Sequence, residues 1–188
     1  YYNDYQMEFI PMLWGGNTSN NDMIAVKSFI LNHPEVKYLL VMNEPNLTDQ
    51  ANRTPEQAAV DWLKYEQVVS DLAAQQRTVY LVGPAMTWGT MPNYSDPVVW
   101  LDAFYAAYKN ANGNRPPKID YLAFHWYDYG LAAQLDRLQK YGKQIWITEM
   151  ANWNSQINSY QKQAAQMVEM VNICETRADV FRYAWFIG

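Results

Sequence analysis

Short apolar runs alternate with amphipathic segments along most of the chain. Six runs are nearly continuous in apolar character, at positions 9–14, 38–42, 79–82, 121–124, 145–148 and 181–186. Runs of about four to eight residues without polar alternation are typical of strands buried on both faces, as in a parallel sheet. The pattern therefore predicts six buried strands.

Helix signals lie between these runs. Thr54-Pro55-Glu56-Gln57 combines an N-cap, an N1 proline and a capping-box glutamine, and Asp96-Pro97 begins a second helix. Further helices are predicted over 21–33, 131–141 and 159–175. Strands and helices that alternate in this way predict an α/β fold, either a doubly wound sheet or a (β/α)8 barrel. The first run is not followed by a glycine-rich phosphate loop, which counts against a nucleotide-binding doubly wound fold.

Composition narrows the functional classes. The chain has 188 residues, of which 49% are hydrophobic and 18% charged, so it can bury the core of one ordinary domain and is not disordered. A net charge of −5 without a basic stripe argues against nucleic acid or an anionic membrane as a partner, and no run is long enough for a membrane span. The single cysteine, Cys174, excludes an internal disulfide framework. It lies on an apolar helix stripe, so we expect a buried thiol.

Aromatic residues make up 15% of the chain, including eight Trp and fifteen Tyr. Such rings stack on sugars or fill a thick core, and composition alone leaves both interpretations open.

Four N-x-Ser/Thr acceptor sequences begin at Asn17, Asn46, Asn52 and Asn93. They slightly favour a secreted protein, the alternative being a sequence that is simply rich in asparagine.

Polar residues stand where the predicted strands end. Asn43-Glu44-Pro45 follows the second run, His125 follows the fourth, and Glu149 follows the fifth. In a barrel these strand ends share one rim, where chemistry collects. Two carboxylates across a sugar-sized gap are the minimal machinery of glycoside hydrolysis. For either glutamate alone, an exposed or ion-paired surface residue is the alternative.

The ordered motifs resemble those of glycoside hydrolase family 128 in clan A, also described as the glycosyl hydrolase catalytic core. They are EFIPMLWG, LLVMNEPN, AAVDWLKY, VGPAM, LAFHWY, IWITEMA and FRYAWF, and together they cover nearly the whole chain. The resemblance implies an endo-acting β-1,3-glucanase on a (β/α)8 barrel, with Glu44 as acid/base and Glu149 as nucleophile. Carboxyl groups about 5–5.5 Å apart would make the enzyme retaining, whereas a gap of about 6.5–9.5 Å would make it inverting.

The resemblance also implies an incomplete barrel. Residues 9–14 become the third strand and residues 1–3 the tail of the second. Strand one, most of strand two and the last helix would then lie outside residues 1–188, which would form a single catalytic domain fragment. A barrel without its first strand has open edges.

Several rim residues are candidates for substrate binding. Asn43 is placed to hydrogen-bond a sugar 2-hydroxyl or the nucleophile. His125 could hydrogen-bond within the rim, with a purely structural histidine as the alternative. The candidates for stacking on glucosyl rings, of which we expect about three to touch substrate, are Trp14, Trp126, Tyr127, Trp153 and Trp185. We expect Trp62, Trp100 and Trp146 in the core, whereas Trp88 stays undecided.

The chemistry requires no cofactor, and with only two histidines in the chain we expect no metal site. The expected protein is a secreted or wall-associated monomer that acts on a β-glucan polysaccharide. Two alternatives stay open. One is another clan A β-glycanase, such as a β-1,4-glycanase or a mannanase. The other is a non-catalytic β-glucan-binding wall protein, against which the presence of both Glu44 and Glu149 argues.

Overall fold

The computed structural model describes residues 8–186, which form one parallel sheet with helices between its strands. The strands are β1 (Met12–Leu13), β2 (Tyr38–Val41), β3 (Tyr80–Met86), β4 (Tyr121–Trp126), β5 (Ile145–Met150) and β6 (Val180–Trp185). The helices are α1 (Asn20–Asn32), α2 (Pro55–Ala73), α3 (Pro97–Ala111), α4 (Leu131–Leu138) and α5 (Tyr160–Thr176), with a short 3-10 turn over Gln139–Tyr141. The strands lie in sequential order β1 to β6, and each pairs in parallel with the next.

A strand overlaps each of the six apolar runs, but the predicted ends of several strands were wrong. β1 has only two residues. β3, β4 and β5 continue past the apolar runs, so that Pro84, His125 and Glu149 lie inside strands rather than after them. The ladders continue there because register shifts in the β3–β4 and β4–β5 pairs absorb extra residues.

The described strands form an open sheet, with β1 and β6 as its edges. The predicted (β/α)8 barrel, which we expect to be incomplete and open-edged in this chain, is not confirmed, since the sheet is not closed within residues 8–186. The interpretation of residues 1–3 lies outside the described part of the chain. An ion pair between Arg182 of β6 and Glu8, which precedes β1, joins the two edges. The Arg182 guanidinium also lies 4.9 Å from the ring centroid of Tyr38 and 5.0 Å from that of Trp146. These contacts lie near the amino-terminal ends of the strands, on the face of the sheet that carries Tyr38 and Trp146.

The helix start predicted at Thr54 is confirmed by the hydrogen bonds of its capping box. The Thr54 side chain accepts a hydrogen bond from the Gln57 amide, and the Gln57 side chain accepts one from the Thr54 amide. The indole N–H groups of two core tryptophans find carbonyl partners: Trp62 donates to Lys118 at 3.0 Å and Trp100 to Arg53 at 2.9 Å. The bond from Trp100 also ties α3 to the segment that precedes α2.

Two apolar layers flank the sheet. The larger one packs the helices against the sheet and contains Trp62, Trp100 and Cys174. The smaller one lies on the opposite face and includes Tyr38 and Trp146. Burial raises the pKa of the Cys174 thiol to about 11, as suits the structural role expected from the sequence. Among residues 8–186, no helix is both long and apolar enough to span a membrane.

Gly83 allows β3 to approach β2 closely. Its φ is +146°, and a Cβ built at this position would lie 2.4 Å from the carbonyl oxygen of Val41. That contact is with backbone and cannot relax by rotating a side chain. The close approach thus lies at the end of β2, just before the segment that leads to Glu44.

We predict that Gly83→Ala lowers the free energy of unfolding through both backbone strain and the clash. The positive φ costs about 1–2 kcal/mol and the clash about 1–3 kcal/mol more. Gly113→Ala is the matched control, because Gly113 also has a positive φ but faces open space. Urea unfolding of the two variants separates the effects, and equal losses would contradict the account of close approach.

Candidate active site

The backbone around Glu44 is held by the neighbouring strands on both sides. The Asn43 amide donates to the Trp14 carbonyl at 2.8 Å, and the Glu44 amide donates to the Ala85 carbonyl at 2.8 Å. Met42 and Glu44 both have left-handed backbone angles, with φ of +57° and +47°. Such angles cost about 1–3 kcal/mol in a residue other than glycine and persist where the surroundings enforce them. The carboxyl group of Glu44 therefore starts from a rigid backbone position.

A bulge in β5 places two consecutive residues against His125. Phe124 pairs with Ile147, but His125 pairs with Glu149, so the register shifts by one residue between them. A bulge of this kind lets two residues of one strand face a single residue of the next. Thr148 and Glu149 both reach the His125 ring as a result.

His125 joins the two glutamates. Its ring is only 1% exposed. Nδ1 lies 2.7 Å from Glu44 Oε1 and 3.3 Å from Glu149 Oε2, while Nε2 lies 2.8 Å from Thr148 Oγ1. One oxygen of each glutamate and a ring nitrogen of His125 lie within 4.8 Å of one another. The two strand ends singled out by the sequence thus meet at one buried imidazole.

The two glutamates differ in their surroundings. Glu44 is buried, at 7% exposure, whereas 24% of the Glu149 side chain is exposed. The Tyr127 hydroxyl donates a hydrogen bond to Glu149 Oε2. Burial, followed by this bond to Glu149, raises the pKa of Tyr127 well above its usual range, so the phenol keeps its proton. Among residues 8–186, His125 and the two glutamates are the cluster that a metal ion could share, although hydrogen bonds already engage these atoms.

An aromatic cleft of about 410 Å³ opens onto the glutamates. Its lining consists of Trp14, Asn43, Glu44, Leu47, Gln50, Thr87, Trp88, Tyr127, Glu149, Trp153 and Phe186. The Tyr127 and Trp153 rings stack with centroids 4.1 Å apart, and the Phe186 ring lies edge-on to both. Asn43 donates its side-chain amide hydrogen to Gln50 Oε1 at 3.3 Å. The cleft therefore combines paired carboxylates, flat apolar rings and amide groups.

Of the tryptophans proposed to stack on sugars, Trp126 and Trp185 do not line this cleft. Trp126 is 9% exposed and donates its indole N–H to the Tyr129 carbonyl at 2.9 Å. Trp126, Met150 and Trp185 occupy one row across β4, β5 and β6, and they pack in the apolar layer on the helix side. Because side chains alternate along a strand, this row points away from the carboxylates. Trp126 instead borders a neighbouring pocket of about 370 Å³.

Comparison with known proteins identifies the family. A family model described as "Glycosyl hydrolase catalytic core" matches residues 1–188. The chain belongs to this family, glycoside hydrolase family 128. A crystal structure of a family 128 (subgroup II) endo-β-1,3-glucanase from Pseudomonas viridiflava is similar, with a TM-score of 0.90 and 55% sequence identity. The match covers 100% of this chain and 71% of that one.

Two other solved members of family 128 match at lower identity. A subgroup I endo-β-1,3-glucanase from Amycolatopsis mediterranei, in complex with laminaritriose, has a TM-score of 0.72 and 27% identity, over 95% of this chain and 71% of that one. A subgroup III curdlan-specific exo-β-1,3-glucanase from Blastomyces gilchristii has a TM-score of 0.72 and 27% identity, over 97% and 75%. A search of curated proteins gave no significant match.

Several residues of this family 128 cleft were missed from the sequence. They are Leu47, Gln50, Thr87 and Phe186, while Trp88 was left undecided. β3 ends at Met86, so Thr87 and Trp88 directly follow a true strand end. The apolar run ends at Val82 because Gly83 and Pro84 interrupt it. If the predicted strand had continued through Gly83 and Pro84, Trp88 would have been predicted to follow a strand end.

Asn46 anchors the loop that carries Trp88. It is fully buried, and its side-chain amide donates to the carbonyls of Thr87 and Ser95 at 2.7 and 3.1 Å. Its own carbonyl accepts hydrogen bonds from the amides of Thr90 and Met91. The loop after Glu44 therefore holds the opposite wall of the cleft in place. The glycosylation acceptor sequence at Asn46 is also inaccessible in the folded chain.

We predict that Asn46→Ala lowers the free energy of unfolding by about 2–4 kcal/mol, because it leaves two carbonyls without their partner and a small void. Asn17→Ala is the control, since Asn17 is exposed, and its effect should stay within about 0.5 kcal/mol. Chemical denaturation followed by tryptophan fluorescence measures both values. Equal stability of the two variants would show that Asn46 does not anchor the loop.

Proposed function

We propose that this family 128 chain cleaves internal bonds of β-1,3-glucan and retains the anomeric configuration. The observation that carries the proposal is the pair of carboxylates at one edge of the sheet, with one oxygen of each within 4.8 Å of the other. This spacing agrees with the gap of about 5–5.5 Å in retaining glycosidases and is too short for the gap of about 6.5–9.5 Å in inverting ones.

The surroundings of the two carboxylates support a different role for each. Glu149 Oε2 accepts the hydrogen bond from Tyr127, which leaves Oε1 to attack the anomeric carbon. As the glycosidic bond breaks, Glu44 gives its proton to the leaving oxygen, and the sugar becomes covalently bound to Glu149. Glu44 then takes a proton from water, whose oxygen attacks the anomeric carbon and releases Glu149. The neutral Tyr127 hydroxyl stabilises the charge on Glu149 before the attack and again when the carboxylate is released.

The aromatic walls fit a glucan chain. Tyr127, Trp153 and Phe186 form a stack on one side, and Trp14 and Trp88 contribute further rings. Flat rings suit the C–H faces of pyranoses, and amide groups such as that of Asn43 suit the hydroxyls. The laminaritriose bound to the Amycolatopsis relative supports a β-1,3-linked substrate. Endo cleavage is favoured because the relative at 55% identity is an endo-enzyme.

Three further points belong to this proposal. We propose that β1 to β6 correspond to the third to eighth strands of a (β/α)8 barrel, as the sequential parallel order suggests. We also propose that the domain works as a monomer. Secretion or attachment to a wall is consistent with a polymeric substrate that is too large to enter a cell.

We predict that Glu149→Gln and Glu44→Gln each lower kcat on laminarin at least about 10³-fold, because each removes one step of the displacement. Glu44→Gln should lose much less on an aryl glucoside with a good leaving group, which needs no protonation. Glu56→Gln, at an exposed position of α2, is the control. Reducing-sugar release measures the rates, and proton NMR of the first product should show the β-anomer.

Three other outcomes would each contradict a different part of the proposed function. An α-anomer as first product would establish inversion. Cleavage of β-1,4-glucan or mannan with laminarin untouched would establish another clan A specificity. If the parent bound laminarin as tightly as Glu149→Gln does but released no sugar, the chain would be a binding protein.

We predict that Trp153→Ala raises KM for laminarin oligosaccharides roughly tenfold, since it removes about 1–2 kcal/mol of stacking and apolar contact. kcat should change less, because Trp153 stacks on Tyr127 and it is Tyr127 that donates to the carboxylate of Glu149. Tyr160→Ala is the control, as this ring is 93% exposed and outside the cleft. An unchanged KM for Trp153→Ala would place the substrate elsewhere along the cleft.

A further inference from the structure

The Thr148 hydroxyl is a polar group of the site that the proposed mechanism has not used. Thr148 precedes Glu149 in β5, and its Oγ1 lies 2.8 Å from His125 Nε2. Apart from Asn43 and Thr148, the residues that line the small internal cavity beside it are apolar. They are Met12, Leu40, Val41, Val82, Ala85 and Ala123. Within the described part of the chain, the Thr148 hydroxyl is the hydrogen-bond partner of Nε2.

The opposite side of the ring determines where its hydrogen must be. Nδ1 faces Glu44 Oε1 at 2.7 Å and Glu149 Oε2 at 3.3 Å. In the proposed mechanism Glu149 attacks as a carboxylate, which can only accept hydrogen bonds. A lone pair on Nδ1 would therefore point at a negative charge, whereas an N–H at Nδ1 is attracted to both carboxyl groups. The geometry favours the ring with hydrogen on Nδ1.

A neutral ring of this kind needs a donor at Nε2. With hydrogen on Nδ1, the other nitrogen is an acceptor, and the hydrogen bond it makes determines which tautomer is present. A threonine hydroxyl is able to donate, and within residues 8–186 the Thr148 hydroxyl is the group that lies at hydrogen-bond distance from Nε2. The ring is 1% exposed, so bulk water cannot substitute for the hydroxyl. Without Thr148, Nε2 would be a buried acceptor without a partner.

We infer that Thr148 is a positioning residue that holds His125 in the neutral tautomer with hydrogen on Nδ1. The inference rests on the proposed function for its catalytic meaning. Because Glu44 Oε1 accepts the Nδ1 hydrogen, the proton that Glu44 delivers must be carried by Oε2. Thr148 and the two carboxyl groups thereby act together, through His125, on which oxygen of the acid/base protonates the leaving group.

The tautomer can be read directly by NMR. The chain has only two histidines, so 15N–1H long-range correlations of the imidazoles give two patterns that are easily assigned. We expect the pattern of a neutral ring with hydrogen on Nδ1 for His125 in the parent at neutral pH. His33, at the end of α1 and outside the site, is the internal reference. A parent His125 with hydrogen on Nε2, or on both nitrogens, would overturn the inference.

Two substitutions separate the hydroxyl from the shape of the side chain. Thr148→Val keeps the volume but removes the donor, so we expect a mixture of His125 tautomers and a fall in kcat of about tenfold with little change in KM. Thr148→Ser keeps the donor and should retain both the single tautomer and most of kcat. Thr176→Val, which removes an exposed hydroxyl at the end of α5, is the matched control.

The outcomes distinguish this inference from the proposed function. If Thr148→Val keeps the single Nδ1 tautomer and the parent kcat, the positioning role is wrong even though the enzyme works. If the parent shows the expected tautomer but cleaves no β-glucan, the proposed function fails while the effect of Thr148 on the ring still stands. If Thr148→Val does not fold, the parent spectrum and the Thr148→Ser variant still decide the tautomer.

Discussion

Hydrogen bonding around the His125 ring is the interaction on which the rest of the site depends. Two carboxyl groups from different strands approach one another closely only because an imidazole lies between them and satisfies both. Two ionised carboxylates so near to one another would repel, which favours a proton on one of them. The ring is buried, so bulk water has little access to its contact with Glu44, whereas Glu149 faces the cleft. The separation between the carboxylates is therefore a property of the packed sheet.

The backbone that maintains this arrangement is locally strained. The left-handed angles at Met42 and Glu44, and the bulge at Thr148, are local departures from regular strand geometry. Such departures are stable where surrounding segments hold the backbone by hydrogen bonds, as Trp14 and Ala85 do for Asn43 and Glu44. Asn46 extends the same rigidity to the opposite wall through its contacts with the loop that carries Trp88. The cleft is thus preorganised on two sides by buried amides.

Aromatic residues serve three separate purposes in this chain. Trp62 and Trp100 fill the layer between helices and sheet, and Tyr38 and Trp146 fill the opposite face of the sheet. Only a third group, which includes Trp153, faces the cleft. The first two groups explain why composition alone could not distinguish a sugar-binding surface from a thick core. A thick core and an aromatic cleft are both present, and together they account for the aromatic content.

The sequence by itself determined the alternation of strands and helices, the caps of α2, and the pair Glu44 and Glu149 at strand ends. These features depend on local patterns, which a short stretch of chain carries within itself. The tertiary structure decided which side chains face the cleft. Alternation along β4 turns Trp126 away from the face of His125, and Trp185 pairs in the same row, whereas the register shift in β5 lets both Thr148 and Glu149 reach His125. Pairing between strands depends on residues far apart in the chain, and no local pattern shows it.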